Sequence, residues 1–563
     1  MNRILPFVLV CLLAATSLMA AERTPAEMQA IAIRQLGMQA ASRGQNGSVE
    51  AGALVLLRAT DTYHIYSSTA GEGFVVVSRD DDFRPVLGYS AETFSESQLP
   101  PAFYWWLERI DCSLLWRKSN GQMLQAVSFV PTENFVPTQW GQLYPYYNLC
   151  PKSSNVTTVT GCVATAMAQI LKYYEYPAKS AGTSYYQLDG ETTTYPVQLQ
   201  TTFDWANMLN KYPTRLSGSA TQRTAVAELM RDCGYAAKMV YGTQTSNTHY
   251  FNAANGLIDN LGFVKGSIVL ADRQYYSDSE WAEIVYAELA AKRPILYSGT
   301  DSVSGGHAFL LTGIDNDGLI YVNWGWDGVA NGFYDLSDMA PAGIQGWGSS
   351  HVDHFNSDIT MIYQLTPKPV EEGLPIRLSQ FSVYGGKYTL RKYNGTYLVV
   401  AFDSNNTYLI NNHYIPFQGV IYLHLVNKAT NAQRNYTILT TGKDGVSSTI
   451  DSYYGYTFSQ AVNLSQLPVG TYSACMTSKA TGDDSYVPVR SEGGMQMFTV
   501  VRTATGITVT EDEVTSDIVR VAAPDSNEPA VRYSLDGRRL PAARRGLNIV
   551  RRADGTVVKE MVK

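Results

Sequence analysis

The stretch Thr160-Gly161-Cys162-Val163-Ala164-Thr165-Ala166-Met167-Ala168-Gln169 decides how the central part of this chain folds. Val163, Met167, Ile170, Leu171 and Tyr174 recur at helical spacing, so a helix is predicted over Cys162–Tyr174, with Pro177 as its stop. Cys162 then stands in the first turn. A helix N-terminus favours negative charge and lowers a thiol pKa there. Gly161 is expected to leave room for a substrate backbone, and the small residues at 164, 166 and 168 let the helix pack closely against a neighbour. Taken alone, a cysteine on an apolar helix is more often a buried core thiol.

Three further motifs change that balance. Gly305-Gly306-His307-Ala308-Phe309 sets a histidine at the head of an apolar strand, where small neighbours leave a base open to a thiol. Val322-Asn323-Trp324-Gly325-Trp326-Asp327-Gly328 closes the next strand. Asn323 is expected to accept a hydrogen bond from the imidazole and Trp324 to shield it, the nucleophile–base–orienter arrangement of catalytic triads. Upstream, Trp140-Gly141-Gln142 offers a side-chain amide for an oxyanion, beside the Cys162 backbone N–H, with Gln139 as a competitor for the role.

Together these blocks resemble the streptopain family of papain-like cysteine proteases. The likeness includes Pro145-Tyr146, Cys150-Pro151, Tyr176-Pro177, Leu229–Tyr235 and Met239–Gly242, in the family's order across about 125–367. It implies a two-lobed papain-like fold, Cys162 as nucleophile, His307 as base and acid, Gln142 as oxyanion donor, and Asn323 and Trp324 as orienters. It also implies an endopeptidase favouring apolar side chains two residues before the cut. Gly161, Tyr241, Gly305 and Gly306 are the expected substrate-binding positions. The sequence departs from the pattern at Leu311-Thr312, where the family often has an acidic residue. Residues 22–120 resemble the family's propeptide through Gly73–Asp81 and Pro85–Ser90. Such a segment is expected to act as an intramolecular inhibitor until it is cut.

At 563 residues the chain is long enough for several domains. Net charge is only −7, and no strongly basic face occurs before the last segment, so nucleic acid is not an expected partner. Arg3, the apolar run Ile4–Leu18 and Met19-Ala20-Ala21 read as a secretory signal, too short for a spanning helix. Its removal leaves Cys112, Cys150, Cys162, Cys233 and Cys475, an odd and widely spaced set that argues against a disulfide framework. Thr366–Gly373 is a stiff polar linker. Beyond it, alternating apolar positions between turns predict an Ig-like β-sandwich. Residues 531–563 hold nine Lys or Arg against three Asp or Glu. They resemble the C-terminal sorting domain of the type IX secretion system, which implies secretion machinery as a partner and a secreted or outer-membrane surface location in a Gram-negative bacterium.

The expected architecture is therefore α+β: a signal peptide at 1–20, a small α+β inhibitory propeptide at 21–125, and a papain-like two-lobed domain at 126–367. A β-sandwich follows at 374–502 and a short β-domain at 503–563. The expected function is a secreted cysteine endopeptidase made as a zymogen, acting on protein or peptide substrates through an acyl-enzyme. Two other readings use the same residues. One is a Cys-His amidase or transpeptidase. The other is a surface protein-binding module or adhesin on an inactive scaffold, with a host protein as ligand. No cofactor or metal is expected. Asp80–Asp82 reads as a solvated acidic turn, and Asp315-Asn316-Asp317-Gly318 as a hairpin turn lacking the rest of a calcium loop.

Overall fold

A computed structural model describes residues 22–367 except 45, 46, 48, 82, 121–126, 265–267, 302–304 and 337–358. It also describes residues 381–512 except 403–405, 413–415, 444, 453 and 483–485, and four short strands between 531 and 562. The signal stretch and most of the linker after Thr366 lie outside the described residues, as do Asp82 and all but the strands of the C-terminal segment. Among the described residues no helix is long and apolar enough to cross a membrane.

The elements up to residue 363 run α1 (Pro25–Ser42), β1 (Leu54–Ala59), β2 (Tyr63–Ser68), β3 (Phe74–Ser78), β4 (Val86–Ser90), α2 (Pro101–Asn120), β5 (Lys152–Ser153), β6 (Val156–Thr157), α3 (Cys162–Tyr174), β7 (Thr183–Leu188) and β8 (Thr194–Gln198). They continue with α4 (Ala220–Ala236), β9 (Val240–Tyr241), α5 (Tyr250–Asp259), β10 (Val269–Asp272), α6 (Asp278–Ala290), β11 (Ile295–Asp301), β12 (Gly305–Ile314), β13 (Ile320–Asn323), β14 (Gly332–Tyr334) and β15 (Ile359–Tyr363). The chain divides into two compact units, residues 1–123 with 329–339, and the remainder.

In the first unit, Thr24 and Glu27 close a reciprocal capping box that starts α1. Met28, Ala32 and Leu36 of α1 pack on Tyr66, Val75 and Val77 of the sheet below. Strands β1 to β4 form an antiparallel meander. Its fifth strand is β14, in the register Gly332↔Ser90, Phe333↔Tyr89 and Tyr334↔Gly88. The sequence placed these residues in the 126–367 domain; their pairing with β4 is non-local and leaves no local signal. Tyr334 fills the space over Gly88 and meets Trp106 and Phe103 at ring distances of 4.8 and 5.5 Å. Trp106 Nε1 donates to Asp335 O (2.9 Å), and the buried Asp335 carboxylate meets Arg84 at 2.7 Å.

In the second unit, β13-β12-β11-β15-β10 make an antiparallel sheet. Helices α3, α4 and α5 share one apolar core, in which Met167, Ile170, Leu171, Leu229, Met230 and Leu257 are fully buried. Helix α3, which opens with Cys162, lies against β12. The Asp315–Gly318 turn is built as read: Asp315 Oδ1 accepts from Asp317 N and Leu319 N, and Gly318 takes φ +82.

Strands between Phe381 and Glu511 build sheets around a separate core that includes Phe381, Tyr388, Ile421, Leu423, Tyr472 and Phe498. The last strand, Ile507–Glu511, pairs with Phe498–Arg502, so this region runs past the expected boundary at 502. The stretch taken for a domain change is a hairpin turn, with Thr503 N bonded to Gly506 O.

This region is joined to α6 and the turn before it through Arg490. Its guanidinium donates to Glu280 Oε1 (3.0 Å), Glu280 Oε2 (3.2 Å) and Tyr275 O (3.0 Å), and lies 4.1 Å from the Tyr276 ring centre. Glu280 also closes the capping box of α6 with Ser277. Gly493 N donates to Gln274 O beside it (2.8 Å).

Candidate active site

Cys162 opens α3 as the sequence predicts, but the glycine before it serves a different purpose. Gly161 is the N-cap, at φ +83, where a side chain would be strained. A Cβ there would also sit 2.8 Å from Ser246 O and 3.2 Å from Met239 Cε. The space beside Gly161 is thus occupied by the protein itself, which corrects its expected role of leaving room for a substrate. Thr160 and Thr165 lock the turn: their hydroxyls lie 3.0 Å apart, and Thr165 Oγ1 donates to Gly161 O.

The thiol is half-buried and lies against the sheet. Burial pushes its pKa up, while the backbone N–H of Ala308, then those of Val163 and Cys162 itself, pull it down. Burial prevails, so the lowered pKa expected from the helix terminus alone is not what this arrangement gives. The contact with Ala308 brings the thiol to the residue after His307 on β12. His307 is partly exposed and faces Gly299 of β11 in register. Gly305 and Gly306 precede it on the same strand, opposite Asp301 and Thr300.

Tyr250, at the start of α5, completes this neighbourhood. Burial raises its pKa, the adjacent Cys162 adds to the rise, and a hydrogen bond with Ser298 opposes it. No motif pointed to Tyr250, because it reaches the thiol from a helix 88 residues later, outside every motif.

The segment 138–142 is held residue by residue. Gln139 N donates to Asn210 O (2.8 Å). Trp140 is buried; its indole N–H donates to Leu209 O (2.8 Å) and its backbone N–H to Gln169 Oε1 (3.3 Å). The Asp327 side chain covers Gly141, where a Cβ would come within 2.6 Å of Asp327 Cγ and Oδ1. Gln142 O accepts from Thr160 N (3.3 Å), which places the partly exposed Gln142 beside the turn that leads into Cys162.

Asn323 ends β13 and is 1% exposed. Its Nδ2 donates to Thr138 O (2.7 Å) and Gln169 Oε1 (2.9 Å), and its Oδ1 accepts from Gly325 N (3.1 Å). This corrects the expected hydrogen bond from the imidazole: the carboxamide is turned toward α3, and its oxygen is taken by the turn that follows. Trp324 is buried and packs on Phe309 of β12 in a tilted ring contact at 4.9 Å, two residues from His307.

Tyr241 does not line a cleft. It is 0% exposed, packed against Tyr186 and Tyr235 and over Gly234, with its hydroxyl toward Cys150. Short β9 pairs in parallel with β7 and draws it into the core. At the family departure, Leu311 is buried and the Thr312 hydroxyl donates to Asn134 Oδ1 (2.7 Å), tying β12 to the incoming segment. No cluster of three or more potential metal ligands occurs among the described residues.

Residues 140–334 match the profile of the Peptidase C10 family, and residues 38–113 that of the Spi protease inhibitor. A solved fragment of prointerpain A from Prevotella intermedia is 32% identical, with 56% of this chain covering 99% of that one at a TM-score of 0.49. The chain belongs to the peptidase C10 family.

Streptopain of Streptococcus pyogenes is 28% identical over 326 residues, 53% of this chain and 80% of its own length. The thiol protease/hemagglutinin PrtT of Porphyromonas gingivalis is 28% identical over 307 residues, half of this chain but only 34% of its own length. The C10 match spans all four motifs and reaches Tyr334, so it includes β14, while the inhibitor match covers β1 to β4 and most of α2. The strands from Phe381 onward lie beyond both.

Proposed function

We propose that this C10-family chain is a secreted cysteine endopeptidase made as a zymogen, with Cys162 as nucleophile and His307 as base and acid. The observation that carries this reading is the Cys162 thiol against the backbone of Ala308, next to His307, with Gln142 strapped to the turn before Cys162. His307 takes the thiol proton as sulfur attacks the scissile carbonyl carbon. The oxyanion is met by the Cys162 N–H and the Gln142 amide. Collapse breaks the C–N bond, and His307 returns the proton to the leaving amine. Water, deprotonated by His307, then attacks the thioester; the acid leaves and the thiol is restored.

Asn323 holds the end of β13 through Thr138 and Gln169, and Trp324 packs on Phe309 of the strand that carries His307. Gly305 and Gly306, immediately before His307, remain the proposed backbone wall for a bound peptide. Latency is assigned to residues 21–125. The pairing of β14 with β4 supports it, because β14 follows the Asn323–Gly328 stretch by only a few residues and is ordered within the inhibitor-like sheet. Export through the N-terminal apolar run, and sorting through the basic C-terminal segment, complete the proposal.

The test is expression of residues 22–563 with Cys162 intact or changed to alanine, following precursor size and casein cleavage with time. Cleavage and self-shortening only with intact Cys162 are expected. Equal inertness of both chains, after the inhibitor segment is trimmed by an added protease, would overturn the proposal and favour a binding scaffold.

A further inference from the structure

Gln169 closes the first motif, yet nothing in the sequence gives it a role. It is fully buried on the inner side of α3. Its side-chain oxygen receives three donors: Thr138 Oγ1 (3.0 Å), Trp140 N (3.3 Å) and Asn323 Nδ2 (2.9 Å). Trp140 N and Asn323 Nδ2 can only donate, so an acceptor must face them and the orientation of the amide is fixed. The amide nitrogen, by contrast, is buried with no hydrogen-bond partner. One oxygen with two lone pairs thus gathers the segment leading to Gln142, the end of β13, and the helix that presents Cys162.

We infer that Gln169 is a positioning residue, whose side-chain oxygen holds the 138–142 segment and Asn323 at fixed distances from the nucleophile helix. This inference rests on the proposed roles of Cys162 and Gln142. Gln169 touches neither substrate nor thiol; it acts through Trp140 and Asn323. Losing the oxygen leaves two buried N–H donors unpaired, and they regain partners only if the strands move. The displacement falls on Gln142, two residues from Trp140, and an oxyanion donor misplaced by a fraction of an ångström loses most of its effect. Because the oxygen matters and the nitrogen is unpartnered, an acceptor-only carboxylate should replace the amide far better than a hydrocarbon of the same length.

The experiment compares residues 22–563 carrying Gln169→Met or Gln169→Glu with the parent after maturation, measuring kcat and KM on a chromogenic peptide amide and the melting temperature. Gln169→Met is expected to lose about 10²-fold in kcat, with KM changed by less than about threefold. Gln169→Glu is expected to regain at least about fivefold of that loss. Combining Gln169→Met with Gln142→Ala should cost no more than about threefold beyond the worse single variant, because both act on one donor.

The inference is overturned if Gln169→Met keeps kcat within about twofold of the parent. It is also overturned if Gln169→Glu, melting like the parent, loses about 10²-fold, and this arm holds even where Gln169→Met does not fold. Additive losses in the double variant count against it in the same way. A Cys162→Ala chain that still hydrolyses the peptide sinks the reading of the site and this inference with it. An inert Cys162→Ala chain beside a fully active Gln169→Met chain sinks the inference alone.

Discussion

Two of the buried polar junctions among the described residues of the second unit are of opposite kind. At Gln169 the junction is neutral: one amide oxygen on α3 collects three donors from two other stretches, 138–140 and the end of β13. At Arg490 it is ionic: Arg490, 7% exposed, reaches the carboxylate of Glu280, 3% exposed and 210 residues away, across the contact of two cores. A neutral hub fixes distances with little desolvation cost, which suits a segment proposed to present a donor to a reacting atom. A buried ion pair is costly to desolvate and holds only while both charges are present, which suits a seam that must be all or nothing.

The sharpest way to break this contrast is to remove one charge. Arg490→Ala should lower the unfolding free energy in urea by about 3–5 kcal/mol, since Glu280 is left buried and unpaired. Replacing both Arg490 and Glu280 with Met should recover much of the loss. A single variant costing under about 1 kcal/mol would show that the seam is not closed in solution.

On the neutral side, Gly141→Ala forces a methyl into the Asp327 side chain. The expected result is a fall of about 10²-fold in kcat with little change in melting temperature, the reverse of the Arg490 pattern. A chain that unfolds instead would place the 138–142 segment among the determinants of stability rather than of rate.

The seam side also carries a titrating group. Burial raises the Asp272 carboxyl to about 6, opposed by a hydrogen bond from Thr360. With the folded pKa above the unfolded one, its stabilising contribution is complete below about pH 4 and is lost as pH rises through about 6. Asp272→Asn should therefore gain stability relative to the parent between about pH 5 and 7, on the order of 2 kcal/mol, in chemical denaturation at each pH. A constant difference across that range would assign the pH dependence elsewhere.

The smallest effect separates two capping boxes of the same design. Thr24 and Glu27 close one at the surface, Ser277 and Glu280 the other at the buried seam. Thr24→Ala should raise amide exchange in the first turn of α1 a few-fold. Ser277→Ala should do more, because it also removes a donor from the carboxylate that Arg490 needs.

Much of this molecule was legible in its sequence because the signals were local. The spacing of Val163, Met167 and Ile170 placed α3 with its ends, and Asp315–Gly318 declared its turn. The motifs pointed to Cys162, His307, Asn323 and Gln142. Motif logic failed where a side chain had to choose between partners. Asn323 was expected to serve the imidazole, but Thr138 and Gln169, distant in sequence, engage its amide. Tyr241 was expected at a cleft, but a parallel pairing with β7 buries it.

By itself, then, the sequence determined the chemistry on offer: a cysteine opening a helix, a histidine on a strand, and an amide and a Trp-rich turn in a family's order. Periodicity and short motifs are properties of neighbouring residues, and they survive reading one chain in one dimension. Only the tertiary structure decided that β14 completes the inhibitor-like sheet, that Gln169 gathers three motifs on one oxygen, and that Arg490 seats the C-terminal strands on α6. Each of these is a contact between residues far apart in the chain. Its energy comes from burying a polar or aromatic group against a partner that folding alone brings near.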